Sequence, residues 1–209
     1  MSACKKKLSL VEKIWLSINI PRFILSIMII FSCKKQIIDI IFSDVARWHF
    51  RSKFSGKVSN AFYLLSFYKE FRNLTIYRIR EDSILKSYLF RLIYPPLDSL
   101  YIYAEKIGTG LFIQHGFSTI ITAKEIGNDC HINQQVTIGH KGNDAPIIGD
   151  RVKIHAGALV IGNIKLGNDC IIGAGAVVTK DVPAGAIVVG NPAHIIKYID
   201  SYSKNKIKP

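Results

Sequence analysis

The chain has 209 residues, room for one large domain or two small ones, and its 49% hydrophobic content suffices to bury a core. Its net charge is +13 but unevenly spread: residues 1–98 hold 17 Lys and Arg against 7 Asp and Glu, and the rest hold 11 against 8. The four cysteines, Cys4, Cys33, Cys130 and Cys170, form no CxxC pair, which excludes a zinc-ribbon spacing and an evident disulfide framework and fits a reducing compartment.

The opening MSACKKKLSL carries positive charge, but Glu12, Lys13 and Arg22 interrupt the apolar residues after it, so no cleaved signal is expected. The uncharged run FILSIMIIFSC, residues 23–33, is shorter than the roughly 20 residues that span a bilayer. It is expected either to be buried or to lie flat in a membrane interface. SNAFYLLSFYKEFRNLTIYRIR and SILKSYLFRLIY place apolar residues three and four apart, the spacing of amphipathic helices. YPP at 94–96 ends the last helix, since proline cannot donate to a helical ladder.

Beyond residue 100 the pattern changes. Fourteen of the fifteen glycines lie there, and aliphatic residues recur at six-residue steps. The set is Ile107 and Ile113, then Ile120, Ile126, Ile132 and Ile138, then Ile148, Ile154, Val160, Leu166, Ile172 and Val178. Four residues after most of them comes a smaller residue, such as Cys130, Val136, Ala158, Cys170 or Ala176. A period of six with two inward positions describes short strands and tight corners, three to a turn, stacked at the usual strand spacing of roughly 4.8 Å. The fold class is therefore a parallel β-helix preceded by α-helices. The interval from Ile138 to Ile148 contains four extra residues, so HKGNDAP (140–146) leaves the coil. The step from Ile113 to Ile120 is seven, which places a one-residue bulge at His115 in FIQHGFSTII. The expected domains are a helical region (1–98), the β-helix (99–197) and a basic tail (198–209).

The hexads, with GNPA at 190–193, resemble the hexapeptide-repeat acyltransferases. KIGTGLFIQHG, INQQVTIG, IGDRVKIHAGALVIGN and GAGAVVTKDVPAGAIVVGNPA are similar to the serine acetyltransferase branch. The resemblance covers residues 100–197 and implies a left-handed coil, acetyl-CoA as co-substrate and a homotrimer, with a dimer of trimers an open option. It also implies that His115 is the general base, since a hydroxyl attacks a thioester only as its proton is removed. Gly139, Ala156 and Ala174 match positions lining the acetyl-CoA groove, where a larger side chain would block the pantetheine arm. Lys180 and Lys197 are candidate phosphate contacts by charge and position.

Several positions depart from the serine branch. Gln114 stands where an aspartate holds the amino acid acceptor, Leu100 where a second aspartate orients the imidazole, and Asp144 and Ala145 where an Arg-His pair stands. Gln114, His140 and Asp144 are the candidate acceptor contacts. The departures point to the hydroxyl of a surface-glycan sugar, from a capsule or lipopolysaccharide, rather than to free serine. Serine O-acetylation is the alternative, transfer to an amino sugar remains open, and a non-catalytic β-helical scaffold is a third reading. No three-histidine zinc spacing occurs, so no metal is expected. No nucleic-acid motif accompanies the positive charge. The basic helical half suits a cytoplasmic protein that touches the inner face of the membrane, or a helical oligomerisation cap.

Overall fold

The computed structural model describes residues 7–199, so most of the expected tail at 198–209 and Cys4 lie outside the described residues. Two compact units divide between Leu97 and Asp98.

The first unit contains α1 (Leu10–Phe31), α2 (Lys35–Arg47), α3 (Lys57–Phe67), α4 (Lys69–Asp82) and α5 (Ile84–Ile93). A capping box starts α1: Ser9 Oγ accepts from the Glu12 amide and Glu12 Oε2 accepts from the Ser9 amide. The helix is thus twice the length of the uncharged run at 23–33 and carries Lys13, Pro21 and Arg22 within it. Its boundary is set by the cap, which a count of uncharged residues does not register. α5 ends at Ile93, before Pro95 and Pro96.

Trp48, Phe71, Leu64, Leu74, Ile79 and Phe90 fill the centre of this unit. One ion pair sits among them: Arg78 Nε donates to Asp44 Oδ2 at 3.0 Å, with side chains 1% and 2% exposed. Arg72, also buried, donates to the carbonyls of Leu65, Ser66 and Pro95, which tie the end of α3 to the segment after α5.

The second unit is a β-helix with three faces of parallel strands. The first face stacks Leu100–Ile102, Thr119–Ile121, Thr137–Gly139, Leu159–Ile161 and Val177–Val178. The second stacks Lys106–Ile107, Glu125–Ile126, Ile147–Ile148 and Lys165–Leu166. The third stacks Phe112–Ile113, His131–Ile132, Lys153–Ile154, Ile171–Ile172 and Ala186–Val189. His194–Tyr198 then turns back antiparallel on Ala186–Val189, so the chain leaves the parallel coil after Val189.

The expected aliphatic ladder faces inward at Ile107, Ile113, Ile126, Ile132, Ile138, Ile148, Ile154, Val160, Leu166, Ile172 and Val178, none more than 5% exposed. Ile120 is a correction. It faces outward at 41% exposure, and its neighbour Ile121, fully buried, pairs with Ile138. The dipeptide Ile120-Ile121 offers an aliphatic side chain to both sides of the strand, so spacing alone chose the wrong one. The bulge changes accordingly. Ser118, Gln135, Gly157 and Gly175 occupy the same left-handed corner position in successive turns, three residues before Ile121, Ile138, Val160 and Val178. From the inward residue on the third face to that corner the step is three in the later turns and five from Ile113 to Ser118. Two residues, not one, are therefore inserted between Ile113 and Ser118. The next step, Ile121 to Ile126, is one residue short, so Ile107 pairs with Ile126 nineteen positions on. The later insertion is as expected: Ile126 pairs with Ile148 twenty-two positions on, four more than eighteen.

Removing Asp44 takes the nearest carboxylate from the buried Arg78 guanidinium, whose ion pair with Glu81 is longer at 4.0 Å. Asp44→Ala is expected to destabilise the first unit by about 3–5 kcal/mol, measured by chemical denaturation followed through helical circular dichroism.

Candidate active site

The two inserted residues lie in the corner between the third and first faces. His115 is at φ 62° and Ser118 at φ 50°, both left-handed. Ser118 is the regular corner residue of its turn, so His115 is the additional one. A non-glycine residue in this region is uncommon. Here it turns the His115 side chain out of the coil, where it is exposed. The His115 carbonyl accepts from the Phe117 amide, closing the extra loop, and Phe117 O accepts from Gln135 N at 3.0 Å in the turn above.

Gln114 lies beneath this corner, half-buried. Its Oε1 accepts from His131 Nε2 at 3.2 Å, and the His131 ring meets Phe112 edge-on with centroids 4.9 Å apart. Gln114 is thus engaged within the chain one turn below the residues after His131. Two of those were not singled out by sequence: Asn133 Oδ1 and Gln134 Oε1 are buried without a hydrogen-bond partner. They occupy the same corner as His115, one turn on, and a count of one full coil along the chain would have found them.

The same corner continues through Ala156 and Gly157, then Ala174 and Gly175. Gly157 N donates to Gln134 O at 3.1 Å and Gly175 N to Ala156 O at 2.9 Å, so the corners stack directly. Ala174 and Gly175 are exposed, and a Cβ added at Gly175 would meet nothing within 4 Å. The edge beyond His115 is therefore an open rail of backbone with no side chain larger than a methyl at these four positions.

The remaining candidates stand elsewhere. Gly139 and His140 lie at the next corner, between the first and second faces, where the inserted loop departs. That loop is a tight hairpin: Lys141 and Asp144 exchange backbone hydrogen bonds at 2.9 and 3.3 Å around Gly142 at φ 64°. His140 and Asp144 are exposed. Lys180 lines a cleft of about 270 Å³ with Thr179, Pro192 and His194 at the last turn. Lys197 is exposed on the terminal antiparallel strand, opposite Ile187. Within one chain, the corner therefore gathers His115, Gln114, Ala156 and Ala174, while Gly139, His140 and Asp144 form a second group and Lys180 and Lys197 a third. Leu100 is inward and 4% exposed, so its side chain is unavailable to the imidazole. Among the described residues no group of three or more His, Cys, Asp or Glu could hold a metal ion.

Residues 145–180 match the family described as bacterial transferase hexapeptide (six repeats). The coil is a left-handed β-helix built of hexapeptide repeats. Over 96 residues the chain is 47% identical to the serine acetyltransferase of Helicobacter pylori, covering 44% of this chain and 56% of that protein. Over 97 residues it is 46% identical to the serine acetyltransferase of a Staphylococcus aureus strain, covering 44% and 46%. The match spans about half the length of these curated relatives. The fold superposes on soybean serine acetyltransferase apoenzyme with TM-score 0.63 and 28% identity, over 79% of this chain and 71% of that one. It superposes on Neisseria gonorrhoeae serine acetyltransferase in complex with serine with TM-score 0.62 and 29% identity, over 77% and 69%.

The cysteines of the coil take no part in this corner. Cys130 and Cys170 face inward, and burial pushes each thiol up to about 12. Both are expected to resist iodoacetamide in the folded protein near pH 8 and to react on unfolding, as read by peptide mass mapping.

Proposed function

We propose that the chain is an acetyl-CoA-dependent O-acetyltransferase, with L-serine the acceptor that its relatives' names support. The observation that carries the proposal is the His115 imidazole, held out of the coil by the two-residue insertion and in line with the open corners at Ala156, Gly157, Ala174 and Gly175. Those corners fit a narrow, amide-bearing arm, because no side chain fills them and backbone polar groups lie along them. Bound acetyl-CoA would supply a thioester, whose C–S bond breaks as the acceptor oxygen bonds to the acetyl carbon. His115 takes the hydroxyl proton during that attack and returns it to the departing sulfur, so the residue ends as it began. Lys180 and Lys197 add positive charge suited to phosphate, on the last turn and the terminal strand.

A homotrimer belongs to the same proposal. Tyr101, Ile120 and Leu159 are exposed in one row up the outside of the first face, with Tyr101 paired with Ile120 in register and half-buried Thr137 between Ile120 and Leu159. A symmetric neighbour covering that row would bring its own residues to the open corner, which accounts for candidates that one chain leaves apart. The reading also implies a compartment that contains acetyl-CoA, the cytoplasm.

A second acceptor is favoured by Gln114. Where the serine branch has a carboxylate for the acceptor's ammonium group, this chain has a carboxamide whose oxygen already accepts from His131. The protruding hairpin presents Asp144, which would repel an amino acid carboxylate. A neutral polyol, such as a sugar of a surface glycan, meets neither difficulty.

CoA release from acetyl-CoA is the test, with L-serine and then with sugar acceptors. His115→Ala is expected to lower kcat by about 10²–10⁴, with unchanged melting because the side chain is exposed. Turnover indifferent to this change would point to another base, and no turnover with any acceptor would point to a non-catalytic scaffold. Turnover with sugars and not with serine would select the second acceptor. Ala174→Trp is expected to raise the KM for acetyl-CoA at unchanged melting temperature; an unaltered KM would remove that corner from the groove.

A further inference from the structure

Two helices of the first unit are built inside out. α1 buries Leu16, Asn19, Ser26 and Ile30, so two of its four buried residues are polar. Its exposed surface includes Ile14, Ile18, Leu25 and Met28, which recur at helical spacing on one face. α5 buries Ser87 and Phe90 and exposes Ile84, Leu85, Tyr88, Leu89 and Leu92, again one face. The two helices pack on each other. Their near ends are tied by Lys86 Nζ donating to Ser32 O at 2.7 Å and by the Lys34 amide donating to Asp82 Oδ1 at 3.1 Å. The exposed apolar side chains thus stand on two helices in contact with one another, and large exposed apolar patches mark interaction sites.

The charge around it is mainly positive. On α1, α5 and the turn at 32–34, the exposed charged residues are Lys13, Arg22, Lys34 and Arg91, and α2 continues with exposed Lys35 and exposed Asp39. Two neighbouring carboxylates are engaged. Glu12 Oε2 lies 2.7 Å from Lys53 Nζ, and this hydrogen bond holds its carboxyl down at about 2. Asp82 Oδ2 lies 2.8 Å from Lys86 Nζ.

We propose that the face formed by α1 and α5 docks on an anionic lipid bilayer, lying in the interface with its apolar side chains among the acyl boundary and its cations at the headgroups. α1 is long and apolar enough by composition to cross a bilayer. It lies in the plane instead, because Arg22 sits at its middle and its other flank is held by the rest of the unit. There, Trp15 Nε1 donates to Ser66 O at 3.2 Å, and Phe23 packs on Phe62 with centroids 4.8 Å apart. A second copy of the chain would also cover the apolar side chains, but a two-fold contact would bring Arg22, Lys34, Lys35 and Arg91 against their own equivalents, and these cations outnumber the exposed Asp39 beside them. Anionic headgroups satisfy the same cations.

The test is co-sedimentation of the chain with vesicles of phosphatidylcholine alone and of equal parts phosphatidylcholine and phosphatidylserine, at low and high salt. Preferential binding to the anionic vesicles, weakened by salt, is expected. Lys34→Gln with Lys35→Gln should weaken it about thirty-fold, from about 1 kcal/mol per basic residue. Leu85→Glu with Leu92→Glu should weaken it more than about tenfold. All four positions are exposed, so helical circular dichroism and melting should not change. Absence of vesicle binding at low salt would overturn the proposal, as would equal binding to both compositions with no effect of the lysine changes. If the leucine changes instead alter the sedimentation coefficient and no vesicle binding occurs, the face belongs to a second copy. Binding is read without turnover, so neither result bears on the acetyl-transfer reading.

Discussion

Closure of the inward ladder is the constraint on which the coil depends. Ile113, Ile132, Ile154 and Ile172 stack on one face because each turn returns the chain to the same register, and every parallel backbone bond between turns relies on that return. An additional residue cannot be absorbed inside such a column. It would turn the next side chains outward and break the ladder above and below. Inserted residues must therefore leave at a corner. The coil expels them in two places, at His115 and at the hairpin of 140–146, while the strands above and below stay paired. Both expelled segments carry an exposed histidine.

The same closure explains the glycines that follow the groove candidates Ala156 and Ala174. A corner must turn sharply within three residues, and the regular turning position is left-handed in every turn, whether Ser118, Gln135, Gly157 or Gly175 occupies it. Glycine adopts that conformation at little cost, so the third and fourth turns keep the edge free of side chains. Ser118 and Gln135, at the lower turns, carry polar side chains instead. The edge thus grades from polar and histidine-bearing below to bare backbone above. Under the proposed acetyl transfer, that gradient would give a thioester arm and an acceptor hydroxyl different places to lie along one line.

Much of the coil was legible because one requirement, an aliphatic side chain at each inward position, repeats in every turn. Sequence failed where a second requirement overlays the first. Ile120 and Ile121 are both aliphatic because one fills the core and the other belongs to the row outside. A six-residue count starting from Ile120 then keeps Ile126 in phase and hides the true distribution of extra residues. The contact of Gln114 with His131 escaped for a different reason. It joins residues seventeen apart, one short of a regular turn, and becomes visible only when the insertion is placed. Asn133 and Gln134 were missed likewise, since nothing in INQQVTIG marks a polar oxygen as buried until the corner of the turn below is known. In the helical unit, periodicity located the helices but not their polarity, because apolar spacing alone does not say whether the apolar side faces in or out.

That last ambiguity has a physical resolution in α1 and α5. A helix placed in a soluble core buries its apolar side because water must otherwise cover it. α1 buries Asn19 and Ser26 while Ile18, Leu25 and Met28 face outward, and α5 buries Ser87 while Leu85 and Leu92 face outward. Each buried hydroxyl is satisfied locally, Ser26 by the carbonyl of Phe23 and Ser87 by that of Ile84, so burial of these groups is inexpensive. The outward apolar side has no such local remedy. No described residue of the unit covers it, although the unit has a conventional centre around Trp48, Phe71 and Leu74. The helices are therefore composed for two environments at once: small hydroxyls where they approach neighbouring helices, and bulky aliphatics on the outward side, which the proposed docking would place in a medium less polar than water.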